Sequence, residues 1–171
     1  MLAAAVMLVA ASGAAQAELL VAVVGDSNVY GKGVSRDQAY PAKLERALKA
    51  KGRDVRVLNS GINGDTTTGL MGRLDSAAPS GTKVAVVWIG INDIKRGVPR
   101  DKVVANVRNI SNRLEKRGIQ VVVIKNREYA DVFAKHTIPN DPEKHLAPAG
   151  YDVMVARTLG QVDQAIARVK K

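Results

Sequence analysis

Four short apolar runs, Leu19 to Val24, Val55 to Asn59, Val84 to Ile89 and Ile119 to Ile124, constrain the fold of this chain more than any other feature. Each is rich in β-branched residues and almost free of polar ones, the pattern of strands buried on both faces. Helix-period segments stand between them. Pro41 opens one that carries Leu44, Ala47, Leu48 and Lys51, and Thr67 to Ala77 carries Leu70, Met71 and Leu74. Pro99 suits the first turn of a third, with Val103, Val107, Ile110 and Leu114 at helical spacing. A last helix, about Ala149 to Val169, aligns Tyr151, Val155, Leu159, Val162, Ile166 and Val169. Strands alternating with helices predict an α/β fold, a parallel sheet with helices on both faces, and place any chemistry beyond the carboxyl ends of the strands.

Composition removes several function classes. At 171 residues the chain suffices for one core. With no cysteine it has no zinc ribbon, thiol nucleophile or disulfide framework. Two histidines, His136 and His145, are the only candidates for a histidine base. Neither G-x-G-x-x-G nor G-x-x-x-x-G-K-[ST] occurs, which argues against nucleotide binding. The net charge of +10 invites a nucleic-acid reading, but the basic residues are dispersed from Lys32 to Lys171 and only one Trp, four Tyr and one Phe are available for stacking. The expectation is a basic solvated surface with no nucleic-acid partner and at most weak attraction to an anionic membrane surface.

The amino terminus reads as an address. Met1 to Ala17 is apolar and uncharged and ends in Ala15-Gln16-Ala17, a small-x-small cleavage pattern. It is shorter than the roughly 20 apolar residues of a spanning helix. A cleaved signal peptide over residues 1–17 and one domain over 18–171 are expected, with a periplasmic or secreted product.

Four polar breaks follow the apolar runs. After the first comes Gly25-Asp26-Ser27-Asn28, where a glycine permits a sharp turn and the serine lands at the carboxyl edge of the sheet. After the second, Asn59-Ser60-Gly61-Ile62-Asn63-Gly64-Asp65-Thr66-Thr67 combines two glycines that free backbone N–H groups with a helix-capping Asp/Thr cluster. The third ends in Gly90-Ile91-Asn92-Asp93, whose asparagine offers an amide donor of the kind that stabilises an oxyanion. The fourth site, Asn140-Asp141-Pro142-Glu143-Lys144-His145, precedes the last helix and sets a histidine one turn from an acid. Each taken alone is also an ordinary turn or loop, and His136 has the setting of a solvated bystander. Serine, glycine, asparagine and histidine in this order, three of them after consecutive strands, are far less ordinary.

The four blocks resemble those of the SGNH hydrolases, the GDSL-type esterases and lipases, in the style of the small bacterial arylesterase, lysophospholipase and thioesterase branch. The resemblance runs from Leu19 to the end of the chain. It implies a flavodoxin-like three-layer α/β/α fold and a serine hydrolase acting on small carboxylic esters or thioesters through an acyl-enzyme, with no metal and no cofactor. Ser27 is then the nucleophile and His145 the base. Backbone N–H groups of Ser27 and Gly64 and the amide of Asn92 form the oxyanion hole.

Two departures qualify it. The family acid lies three residues before the histidine, where this chain has Pro142; Asp141, Glu143 or a dyad oriented by a backbone carbonyl remain as alternatives, with Asp141 favoured because positions four apart are neighbours on a helical turn. Only Lys125 to Lys144 separate the fourth strand from His145, too short for a further helix and strand. A reduced four-stranded sheet of order 2-1-3-4 is expected, with Arg127 to Asn140 as an irregular wall of an open, shallow site that takes a short acyl group or an aromatic alcohol. A binding module that has lost catalytic geometry and a carbohydrate deacetylase are the rival readings.

Overall fold

A computed structural model describes residues 18–169. The expected signal segment, residues 1–17, lies outside the described residues.

The sheet has four strands, β1 (Leu19–Gly25), β2 (Val55–Gly61), β3 (Thr82–Trp88) and β4 (Gln120–Val123), all parallel in the order β2-β1-β3-β4. Residues of β1 and β3 alternate between two cores, as the period of two requires. Val21, Val23, Val84 and Val86 face one side with Tyr40, Leu44, Trp88, Met154 and Val162. Ala22, Val24, Ala85 and Val87 face the other with Leu70, Leu74, Ile110 and Leu114. Complete burial of each valine contributes roughly 1.5–3 kcal/mol.

The first face is covered by α2 (Tyr40–Ala50) and α8 (Pro148–Ala167), both opened by a proline in the first turn, where a missing N–H costs nothing. Tyr40, Trp88 and Phe133 stack edge to face there, with centroids 5.4 and 6.4 Å apart. Buried Tyr40 Oη and Thr158 Oγ1 satisfy each other at 2.7 Å. The second face is covered by α6 (Arg100–Glu115) and by α3 (Thr67–Gly72) and α4 (Leu74–Ala77). Two short helices, α1 (Ser27–Tyr30) and α5 (Ile91–Lys95), start at the carboxyl ends of β1 and β3.

Two expectations need correction. The helix foreseen over Thr67 to Ala77 breaks at Arg73, which has φ −115° and ψ 14°. Its guanidinium instead bonds the carbonyls of Ser60 and Gly25 and the carboxylate of Asp65, a tie between the ends of β1 and β2 that outweighs one uninterrupted helix. The wall foreseen as irregular holds a 3-10 turn, Asn126–Tyr129, and α7 (Ala130–Lys135). Tyr129, Val132 and Phe133 stand at helical spacing and enter the first core, a signal present in the sequence but too short to read as a helix without its partner surface.

Close packing at the end of β1 depends on small residues and on a buried acid. A Cβ on Gly25 would lie 2.0 Å from the Trp88 carbonyl oxygen, and one on Gly61 2.2 Å from the Tyr30 nitrogen. Asp26 is 1% exposed, accepts from the Asn28 N–H at 3.0 Å and caps α1. Burial pushes its carboxyl up to about 7, against the lowering effect of the Asn28 N–H.

Gly25→Ala should cost on the order of 2 kcal/mol or more, read as a lower urea midpoint, because overpacking against backbone has no cheap relaxation. A carboxyl raised in the folded state makes no difference to stability below its ordinary value of 3.8 and destabilises progressively as pH rises from there through about 7. Asp26→Asn keeps an oxygen for the cap and removes the titration. Its Tm relative to the parent should therefore climb between about pH 4 and 7, and a constant difference across that window would contradict this account.

Candidate active site

The strand order places the candidate residues at one end of the sheet. Since β1 lies between β2 and β3, the segment after β1 carrying Ser27 emerges between the segment after β2 carrying Gly64 and the segment after β3 carrying Asn92. Ser27 opens α1 and is 6% exposed. Its N–H, like that of Gly64, donates to no other group among the described residues. Gly64 has φ +75°, a left-handed turn that suits glycine, and its carbonyl accepts from Arg96 at 2.9 Å. Asn92 donates from Nδ2 to the Asp65 carbonyl at 2.9 Å, which leaves the second hydrogen of that amide. Asp93, buried beside it, accepts from the N–H and Oγ1 of Thr67 at 2.9 and 2.6 Å and so fixes the third block to the start of α3.

From the other side comes the loop before α8. His145 is 5% exposed, and its Nε2 lies 3.0 Å from Ser27 Oγ. Its Nδ1 lies 2.7 Å from Asp141 Oδ2. With Nδ1 protonated toward the carboxylate, Nε2 presents its lone pair to the serine hydroxyl, the arrangement a general base needs. The extra residue between acid and histidine is absorbed by the loop. Asn140 and Lys144 both have φ +60°, and the Asp141 carboxylate also accepts from the N–H groups of Glu143 and His145 at 3.0 and 2.7 Å. These donors, the His145 N–H foremost, hold Asp141 down at about 2, so it stays ionised. The loop itself is pinned by an antiparallel bridge between Thr137 and Leu146.

The alternatives to Asp141 separate by position. Glu143 Oε2 lies 3.6 Å from His145 Nε2, on the serine side of the ring, and is ion-paired with Lys32. It does not stand where an orienting acid must stand. A backbone carbonyl is not needed at Nδ1, because Asp141 occupies that place. His136 donates neither ring nitrogen to this cluster; its backbone carbonyl accepts from Ala147. The carboxylates of Asp141 and Glu143 and the His145 ring lie close enough to meet a cation, but Nδ1 and Nε2 both already face Asp141 and Ser27.

Ser27 and His145 line an open cleft of about 990 Å³. Ile89, Ile94, Val103, Val107, Val123 and Phe133 line it, and its lining follows α6 from Arg100 to Glu115, about 22 Å at the helical rise of 1.5 Å per residue. The apolar residues come from the end of β3, α5, α6, β4 and α7, so no single stretch of sequence advertises the groove. Residues that the sequence reading left without a role include Arg73 and Asp93, which tie the blocks together, and Lys32, which holds Glu143.

Residues 23–171 match the GDSL-like Lipase/Acylhydrolase family. An arylesterase of Vibrio mimicus is 31% identical over 130 residues, 71% of this chain and 65% of the relative. Esterase TesA of Pseudomonas aeruginosa is 31% identical over 103 residues, 60% of this chain and 51% of the relative. The chain thus spans between half and two-thirds of the length of these curated relatives. Among solved structures, one of TesA superposes with a TM-score of 0.71 at 23% identity, covering 86% of this chain and 99% of the other. AlinE4, an SGNH-hydrolase family esterase, superposes with a TM-score of 0.61 at 24% identity, covering 89% and 98%. At such identities these neighbours speak for the fold, a parallel-sheet α/β fold shared with SGNH hydrolases. Matched over most of its length, the chain belongs to the GDSL-like lipase/acylhydrolase family.

Proposed function

We propose that this protein is a serine esterase that hydrolyses carboxylic esters or thioesters through an acyl-enzyme. The observation that carries the reading is the continuous contact Ser27 Oγ, His145 Nε2, His145 Nδ1, Asp141 Oδ2, at 3.0 and 2.7 Å, opening onto an apolar cleft. Ser27 Oγ attacks the ester carbonyl while His145 Nε2 takes its proton; Asp141 stabilises the imidazolium and keeps the ring oriented. The tetrahedral oxyanion is received by the N–H groups of Ser27 and Gly64 and by the free amide hydrogen of Asn92. Collapse transfers the proton from Nε2 to the leaving alcohol or thiol. Water, deprotonated in turn by His145, then releases the acid and restores Ser27.

The groove along α6 supports an apolar acyl chain as the part of the substrate that is held, in place of the short acyl group expected from the sequence. No metal or cofactor enters any step. A non-catalytic binding module draws on Pro142 and the shortened carboxyl half alone, and the contact between Asp141 and His145 removes the first of these supports. No observation favours a carbohydrate deacetylase. For location, both relatives are bacterial proteins and no described helix is long and apolar enough to cross a membrane. The leader-like residues 1–17 support export to the periplasm or beyond, tested by amino-terminal sequencing of the mature protein, which should begin at Glu18.

A panel of p-nitrophenyl esters of increasing chain length tests the activity. The parent should turn over, and Ser27→Ala should lose both hydrolysis and the covalent adduct with a fluorophosphonate; equal hydrolysis by the two would overturn the reading. Asn92→Ala should lower kcat by about 10²–10³ with little effect on the urea midpoint, the loss typical of one oxyanion donor. Asp141→Asn should lower kcat by roughly 10² or more, since the amide favours the wrong ring tautomer. The same substitution has a stability signature. A carboxyl lowered in the folded state contributes stability that is fully present above its ordinary value of 3.8 and is lost as pH falls toward about 2. The parent's advantage over Asp141→Asn in thermal unfolding should shrink across that window and not above it.

A further inference from the structure

The mouth of the cleft carries a charge pattern that the chemistry at Ser27 does not use. Six cations line it, Lys95, Arg100, Arg108, Lys125, Arg127 and Lys144, against two acids, Glu115 and Glu143. They come from α5, α6, the segment after β4 and the loop before α8, so the ring is assembled by the fold and was invisible as a cluster in the sequence. All six are exposed. Glu143 is neutralised by Lys32, and of the six only Lys125 has an ion-pair partner among the described residues, Glu128. Arg100 occupies the first position of α6, where the helix dipole works against a cation, so its placement is not explained by the stability of the helix.

Apolar surface accompanies the charge. Only two large hydrophobic residues among those described are exposed, Val104 at 53% and Ile62 at 48%. Val104 stands between Arg100 and Arg108 at intervals of four, one stripe along the outer edge of α6. Directly inside that stripe, Val103 and Val107 continue into the groove toward Ser27. Ile62 follows the end of β2, at the same carboxyl end of the sheet. An exposed apolar residue flanked by cations, continuous with a chain-sized apolar groove, matches a surface that is anionic outside and hydrocarbon inside.

We propose that the mouth of the cleft docks on an anionic lipid bilayer, with Arg100, Arg108, Lys95, Arg127 and Lys144 on the headgroups and Val104 at the level of the upper acyl carbons. Docked in this way, the groove opens toward the lipid, and an acyl chain enters it without crossing water. Headgroup attraction falls off within a Debye length, which makes salt a direct probe. A nucleic acid would share the phosphates but not the apolar component, and the rim offers no exposed aromatic residue for base stacking.

The proposal extends the esterase reading without depending on turnover, because binding is measured on the inactive Ser27→Ala protein. That protein is sedimented with vesicles of phosphatidylcholine alone and with vesicles containing about one-third phosphatidylglycerol, whose charge supplies the attraction. Sedimentation with the anionic vesicles only, reversed by raised salt, is the expected result. Arg100→Glu with Arg108→Glu should weaken it by roughly tenfold or more. Val104→Ser should weaken it while leaving the salt dependence in place. Arg56→Glu with Lys83→Glu, the same change in net charge on strand residues remote from the mouth, should bind as the parent does, and circular dichroism with urea midpoints establishes that each variant is folded. Absence of binding, equal binding to both vesicle types, equal losses in the two double variants, or tighter binding to single-stranded DNA than to anionic vesicles at the same salt would overturn it. Loss of esterase activity with binding intact would instead count against the catalytic reading alone.

Discussion

The position of β1 in the middle of a parallel sheet is the constraint on which the rest of this molecule depends. Flanked by β2 and β3 and covered on both faces, its central residues Val21 to Val24 are completely buried, so its carboxyl end is held by everything around it. Gly25 and Gly61 let the backbone pass Trp88 and Tyr30 at distances no side chain would permit, and Arg73 ties the carbonyls of Gly25 and Ser60 together. A serine placed just beyond such a strand has little freedom. That rigidity is the means by which binding energy and a fixed hydroxyl can be turned to catalysis.

Against this fixed half stands a more adjustable one. The loop before α8 delivers His145 and Asp141, and its two left-handed residues, Asn140 and Lys144, fit one more residue between acid and base than the family pattern has. The carboxylate compensates by capping its own loop, accepting from the Glu143 and His145 N–H groups while it meets Nδ1. One set of hydrogen bonds thereby shapes the loop, keeps the acid ionised and aligns the ring. Proline at position 142, which looked like a lost acid, sits within a turn that brings the preceding residue to the same nitrogen.

The reduced sheet changes the surroundings more than the centre. With β4 as the last strand, the wall between it and His145 is a 3-10 turn and α7, anchored by Tyr129, Val132 and Phe133 rather than by strand pairing. The groove that results runs along α6, which contributes Val103 and Val107 to its apolar lining and Arg100, Val104 and Arg108 to its rim.

Much of this is legible in the amino-acid sequence. Buried strand residues must be apolar wherever they fall, so the four strands could be read from Leu19 to Ile124, their order in the sheet came from the resemblance to the SGNH fold, and the polar breaks marked Ser27, Gly64, Asn92 and His145 as the residues to watch. Periodicity is a local property, however, and the remaining decisions were not local. Whether Asp141 or Glu143 faces Nδ1 depends on the backbone angles of Asn140 and Lys144; the break at Arg73 depends on carbonyls of two other strands; the groove and its basic rim draw on the end of β3, α5, α6, β4 and the turn after it, α7 and the loop before α8, which share no sequence signal. The amino-acid sequence determined the layers of the fold and the chemistry gathered at one edge of the sheet. Only the tertiary structure decided which carboxylate faces the histidine and what kind of surface surrounds it, because side-chain reach and charge clustering are set by distances through space, not by spacing along the chain.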